Sequence, residues 1–212
     1  MCRIALFNRE GLQSFGQELP PLSDFLSFLE LRKGGDGNGF AVLKENGEVV
    51  CEKGMPDKFN PQICAERLYE FQEEGNWFLF HTRKASEGLP AVENQVQPML
   101  MGPYVLCMNG TEKDLLPMAS QMNMSDTQLI LIKTVMDKLS PISLLRYHSN
   151  FAGFYNGNPF LVKNRDVDMH LHYNKISNAI VFASEFPEEV RNFNVPDIFY
   201  WDNNEPVEQL IS

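Results

Sequence analysis

The order of segments along this chain predicts an α+β fold built on antiparallel sheets. Strand-like runs open the chain, helix-period segments occupy its middle, and the last third returns to strands in hairpin order. A doubly wound parallel fold would alternate strand and helix throughout. Short turn signals at Glu45-Asn46-Gly47-Glu48 and Asn156-Gly157-Asn158 join consecutive strand candidates, and connections that short link antiparallel neighbours only. At 212 residues and 43% hydrophobic composition, the chain is long enough for one domain spanning 1–212 with a sizeable core.

Cys2 to Phe7 is a largely apolar run and reads as a short strand buried on both faces. Behind Pro20-Pro21, Leu22, Phe25, Leu26, Phe28, Leu29 and Leu31 recur at helical spacing until Gly34-Gly35 ends the helix. Gly39 to Lys44 and Val49 to Lys53 form a hairpin, with Asn46-Gly47 supplying the positive φ angles of a tight turn. Asn60 followed by Pro61 reads as an N-cap and first helical residue, with Ile63, Leu68 and Phe71 on the inner face of a helix closing at Gly75. Trp77 to Thr82 and Tyr104 to Met108 are strands separated by a long polar segment of the kind that usually carries function. Ser125-Asp126-Thr127-Gln128 has capping-box spacing and opens an apolar helix to about Leu139. A second short helix follows over Ile142 to Tyr147. Strands at Phe151 to Tyr155, Phe160 to Lys163, Met169 to Tyr173 and Ile180 to Ala183 complete the pattern.

A net charge of -10 without a compensating basic run repels phosphate backbones, which argues against nucleic acid as a partner. No apolar stretch is long enough to span a membrane and no basic, hydrophobic leader opens the chain, so a cytoplasmic protein is expected. Cys2, Cys51, Cys64 and Cys107 are dispersed with no Cys-x-x-Cys pair, which fits free thiols and argues against a metal site. His170 and His172 alternate as on a strand rather than as metal ligands.

Cys2 is the residue around which the chemistry is organised. Once Met1 is removed it carries a thiol and a free α-amine, whose ordinary pKa of about 7.7–8.0 lets it act as a base at neutral pH. Taken alone, Cys2 is an apolar residue opening a strand. Four further segments carry residues suited to one reaction: His81-Thr82-Arg83-Lys84-Ala85-Ser86-Glu87-Gly88, Asn94 to Pro98, Asn109-Gly110, and Asp126 in the first turn of a helix.

In this order behind Cys2, those segments resemble the class II glutamine amidotransferase domain of the N-terminal nucleophile hydrolases. Met1-Cys2-Arg3-Ile4 and Asp36-Gly37-Asn38-Gly39 are similar to the opening of its compact stand-alone members. His81 to Gly88 is close to the family's His-Thr-Arg-x-Ala-Thr-x-Gly, and Arg165-Asp166 with Phe182-Ala183-Ser184-Glu185 resembles its second half. Three positions depart from the pattern. Met108 stands where many members have His, Ser86 replaces the usual Thr, and Gln97 stands where His is common.

The resemblance implies a four-layer αββα sandwich of two antiparallel sheets, with Cys2 at the end of a central strand. It implies that Cys2 attacks the side-chain amide of L-glutamine, that Asn109 and Gly110 form the oxyanion hole, and that Arg83 and Asp126 hold the substrate α-carboxylate and α-ammonium, with Ser86 assisting. The implied reaction passes through a γ-glutamyl thioester, needs no metal or other cofactor, and releases ammonia that a separate synthase or ligase could receive. Two alternatives stand beside it: hydrolysis of another γ-glutamyl amide, and an inactive binding or scaffold protein. The intact set of Cys2, Arg83, Asn109, Gly110 and Asp126 argues against the second.

Overall fold

A computed structural model describes residues 2–85 and 91–210. Strand β1 (Arg3–Asn8) leads into helices α1 (Arg9–Ser14) and α2 (Leu22–Lys33), then the hairpin β2 (Asn38–Lys44) and β3 (Val49–Gly54). Helix α3 (Pro61–Glu70), strand β4 (Gly75–Thr82), the short β5 (Met99–Met101) and β6 (Tyr104–Asn109) follow. Helices α4 (Leu116–Gln121) and α5 (Asp126–Met136) precede β7 (Asn150–Tyr155), β8 (Asn158–Lys163), β9 (His170–Asn174), β10 (Ala179–Ala183), β11 (Phe193–Asn194) and β12 (Phe199–Asp202).

Among the described residues these strands make a seven-stranded sheet, ordered β11-β9-β10-β1-β4-β2-β3, and a five-stranded sheet, ordered β12-β8-β7-β6-β5. Every strand pair is antiparallel. The predicted α+β class is what forms, and its four layers follow from where alternate side chains go. From β1, Ile4 and Leu6 pack between the sheets against Val105, Cys107, Phe154 and Leu161. Ala5 and Phe7 leave the opposite face and pack under Leu22, Phe25, Leu26 and Leu68 of α2 and α3. The second sheet turns Leu106, Met108, Phe151 and Val162 outward onto Ile130 and Leu131 of α5. A strand buried on both faces cannot alternate apolar with polar, which explains the unbroken apolar run after Cys2.

The local rules hold where they name a specific hydrogen bond. Asn60 Oδ1 accepts from Ile63 N at 3.0 Å, and Ser125 with Gln128 closes both bonds of the capping box. Asn156 and Gly157 both take positive φ, 49° and 74°, as a two-residue hairpin turn requires. The first hairpin differs. Only Gly47 has positive φ (83°), while Asn46 Oδ1 accepts from Glu48 N at 2.9 Å, so Asn46 contributes a side-chain bond rather than a left-handed backbone.

Other expectations are corrected. The short helix expected over Ile142 to Tyr147 forms as a 3-10 helix over Pro141–Arg146, with Pro141 at its first position, where a missing N–H costs no intrahelical bond. The inner face of α3 is Pro61, Cys64, Ala65 and Leu68, with Ile63 only half-buried. Helices α1 and α4 and strands β5, β11 and β12 are too short to leave a periodic signature. Helix α1 exists because the Asn8 side chain caps it, accepting from Gly11 N at 2.8 Å.

Candidate active site

The pairing of β1 with β4 and β10 determines where Cys2 lies. Arg3 is opposite Thr82, so Cys2 sits one step beyond the last paired residue, beside Arg83, at the open end of the central strand. Its side chain leaves on the inter-sheet face, as Ile4 and Leu6 do. Lys84 N donates to Cys2 Sγ at 3.4 Å and the thiol lies 3.7 Å from the Lys84 carbonyl oxygen. Burial pushes the Cys2 thiol above its ordinary pKa, and the Lys84 backbone N–H only partly offsets this. The resting group at neutral pH is therefore a thiol, and a nucleophilic reaction needs a base to take its proton.

Arg83 and Asp126 converge on the same place from β4 and α5. Arg83 is buried; its backbone N donates to Gly37 O at 2.7 Å and its Nη2 to Gln95 Oε1 at 2.8 Å. Asp126 is likewise buried, accepting from Glu112 N and Thr127 N, both at 2.9 Å. Burial raises the Asp126 pKa against those two backbone donors. Cys2, Arg83, Gly110 and Asp126, with Gln97 and Thr127, line one cavity of about 20 Å³. That is room for about one water molecule, so a ligand the size of an amino acid enters only as the walls move apart.

Asn109 ends β6 and Gly110 follows it. Gly110 has φ +145°, and a Cβ there would run into Ser149, so only glycine lets this backbone lie so close to its neighbour. Asn109 is fully buried, and its Nδ2 donates to Ser184 Oγ at 3.0 Å. Ser184 Oγ also accepts from Ile4 N at 2.9 Å, so one hydroxyl ties the end of β6 to the strand that carries Cys2. The Asn109 Oδ1 has no hydrogen-bond partner among the described residues.

Gln97, Thr127, Glu112 and Asp36, whose roles were not read from the sequence, hold these groups. Gln97 Oε1 accepts from Met108 N at 2.6 Å while its Nε2 donates to Thr127 Oγ1 at 3.0 Å, bridging β6 to α5. Thr127 Oγ1 also contacts Met108 Sδ at 3.8 Å. Met108 therefore lacks a polar side chain of its own, yet the backbone before Asn109 is braced by Gln97. Glu112, also buried, accepts from His148 N, Ser149 N and Ser149 Oγ at 2.9, 2.8 and 2.6 Å, fastening Ser149 beneath Gly110. Its backbone N is one of the two donors on Asp126. Asp36 Oδ2 accepts from Ala85 N at 2.9 Å and fixes the chain after Arg83. Met1 and Ser86 to Gly88 lie outside the described residues.

No protein-family model matches the sequence, and no curated protein matches it. Solved structures do. The glutamine phosphoribosylpyrophosphate amidotransferase of B. subtilis, in complex with ADP and GMP, is similar over 87% of this chain and 42% of its own, at 17% identity and TM-score 0.57. The allosteric regulatory enzyme of purine biosynthesis matches over 87% and 42%, at 16% identity and TM-score 0.59. A glutamine aminotransferase class-II domain protein of Silicibacter pomeroyi matches over 95% of this chain and 94% of its own, at 12% identity and TM-score 0.53. The chain has the class II glutamine amidotransferase fold.

Within that fold, this chain spans about two fifths of the length of the first two structures, 42% in each case. Cys2, Arg83, Gly110 and Asp126, singled out from separate segments, meet at one cavity, whereas Asn109, next to Gly110 in the chain, is not among its lining residues and gives one amide hydrogen to Ser184. Gln97 was visible in the sequence only as a departure from a pattern. Nothing in the sequence marks Glu112, because a carboxylate three residues past a strand is ordinarily solvated.

Proposed function

We propose that the protein hydrolyses the side-chain amide of L-glutamine to glutamate and ammonia. The observation that carries this reading is the convergence of the Cys2 thiol, the Arg83 guanidinium, the Asp126 carboxylate and the Gly110 backbone on one small cavity at the end of the central strand. A cation and an anion held at one side of a nucleophile match the carboxylate and ammonium of an α-amino acid.

The reaction begins with removal of Met1, which turns the amide nitrogen of Cys2 into a free α-amine. That amine takes the thiol proton, and Sγ attacks the γ-amide carbon. The developing oxyanion is met by the Gly110 N–H and by the Asn109 Nδ2 hydrogen not given to Ser184, since a side-chain amide carries two donors. Collapse expels ammonia, with the α-ammonium returning the proton, and leaves a γ-glutamyl thioester on Cys2. Water, deprotonated by the same amine, attacks the thioester carbon and releases glutamate and the thiol. No step requires a metal. A separate synthase or ligase would be the recipient of the ammonia where it is used.

The test is ammonia release from glutamine by protein whose mass shows Met1 removed, beside a Cys2→Ala control. Turnover by the processed protein and none by the control supports the reading. A processed, folded protein that releases no ammonia from glutamine but cleaves a γ-glutamyl anilide would replace glutamine by another γ-glutamyl amide. Inactivity on both would return the chain to a binding role.

A further inference from the structure

A second cavity, of about 570 Å³, lies at the same end of the sandwich, on the other face of β1. Arg3 follows Cys2, so its side chain leaves the face opposite the thiol and enters this cavity's wall. Arg3 Nη1 donates to the Cys2 carbonyl at 3.1 Å, and Arg3 Nη2 meets Glu185 at 3.3 Å. Glu185 also pairs with Arg32 at 2.6 Å. With Lys33 next along α2, the wall near β1 therefore holds three cations against one carboxylate.

The facing wall has the opposite sign. Asp166 and Asp168, from the segment between β8 and β9, line the cavity beside His170. Asp166 lies 3.3 Å from His148, and both are exposed. Strand β10 lies between β1 and β9, which separates the walls by about two strand spacings, ~10 Å. Two buried polar atoms of lining residues, Arg3 Nε and His170 Nδ1, have no hydrogen-bond partner among the described residues. Buried polar atoms are ordinarily satisfied, so orphaned donors or acceptors around a roomy polar cavity point to a ligand.

We propose that this cavity binds a small zwitterion, an amino acid or dipeptide, with its carboxylate toward Arg3, Arg32 and Lys33 and its ammonium toward Asp166 and Asp168. Its occupancy reaches the reaction centre by two contacts: Arg3 holds the Cys2 carbonyl, and Ser184, which also lines the cavity, holds Asn109 Nδ2. The binding site stands without any reading of the catalysis; only the coupling rests on Cys2 being the nucleophile.

Calorimetric titration of Cys2→Ala protein with diglycine, and with succinate and 1,4-diaminobutane as single-sign controls, tests it. The Cys2→Ala background separates the outcome from whether glutamine is the substrate. Diglycine is expected to bind with roughly millimolar affinity, to shift the Arg3 Nε–H resonance in nitrogen-15 spectra, and to outbind both controls. Lys33→Ala and Asp168→Asn, each checked for a native melting transition, should weaken diglycine about fivefold, the effect of losing one partly solvated ion pair. Absence of diglycine binding, equal or tighter binding of either control, or affinity unchanged in both variants overturns the proposal.

Discussion

Single residues at the site divide by whether they act on charge that exists throughout or only during reaction. In the proposed mechanism Asn109 meets the oxyanion, so Asn109→Ala should lower kcat by roughly 10²–10³ with a modest change in KM. Steady-state kinetics on glutamine decides this, and an unchanged kcat would place Asn109 outside the site. In the same mechanism Arg83 and Asp126 meet charges present in both bound substrate and transition state. Losing either leaves a substrate charge unpaired in a buried site, a cost of roughly 3–5 kcal/mol, or about two to four orders of magnitude in kcat/KM, falling mainly on KM. Glutamine kinetics untouched in Arg83→Ala would return Arg83 to a structural role. Asparagine, one methylene shorter, holds its carbonyl away from Cys2; a misplacement of about 1 Å costs ~10²-fold, so it should be a very poor substrate. Retention of Met1 converts the base into an acylated nitrogen, and a sample with intact Met1 should be as inactive as Cys2→Ala. Full activity alongside a mass that includes Met1 would contradict the mechanism.

Elements matter here for the ends they present. Helix α5 begins with a closed capping box, and its first residue, Asp126, is the carboxylate at the cavity. Ser125→Ala removes the acceptor for Gln128 N and should cost about 1 kcal/mol of stability, read as a lowered urea midpoint with unchanged slope. Because the cap also sets where Asp126 points, KM for glutamine should rise in the same variant. A stability loss with unaltered KM would show that the Glu112 and Thr127 backbone donors alone orient Asp126. The end of β6 is held by Glu112 through Ser149, against which Gly110 is pressed. Gly110→Ala should therefore disrupt both the turn and activity, whereas an active Gly110→Ala protein with native melting would remove Gly110 from the oxyanion role.

At the scale of the whole molecule, the two sheets bury a histidine. His81 is fully buried, neither ring nitrogen has hydrogen-bonding geometry with a partner among the described residues, and burial holds its pKa down to about 3. The Met108 backbone pulls the other way without overcoming that desolvation. The native state therefore keeps His81 neutral while the unfolded chain takes up a proton below pH ~6.5. Stability from this group is present above that value and is lost as pH falls toward about 3. Between pH ~6.5 and ~5 the loss is about 2 kcal/mol, at roughly 1.4 kcal/mol per unit. Urea unfolding at those two pH values should show His81→Leu losing about 2 kcal/mol less than wild type. Equal losses in the two proteins would mean that His81 is protonated in the native state.

The amino-acid sequence determined what depends on near neighbours. An unbroken apolar run marked the central strand, helical spacing of apolar residues marked α2, a capping box located the start of α5, and Asn156-Gly157 specified a turn whose dihedral angles only such residues adopt readily. It also marked Cys2, Arg83, Asn109, Gly110 and Asp126 as a set, since their residue types are demanding and their segments recur in one order. Tertiary structure decided what depends on distant partners. The sheet register brings Cys2 beside Arg83, 81 positions along the chain. Gln97, Ser184 and Glu112 acquire roles because buried hydrogen bonds tie them to Met108, Asn109 and Ser149, residues 11, 75 and 37 positions away in the chain. The paired charges around Arg3 and Asp168 likewise have no sequence signature, because a binding cavity is a property of strand order, and strand order is settled by packing two apolar faces at once.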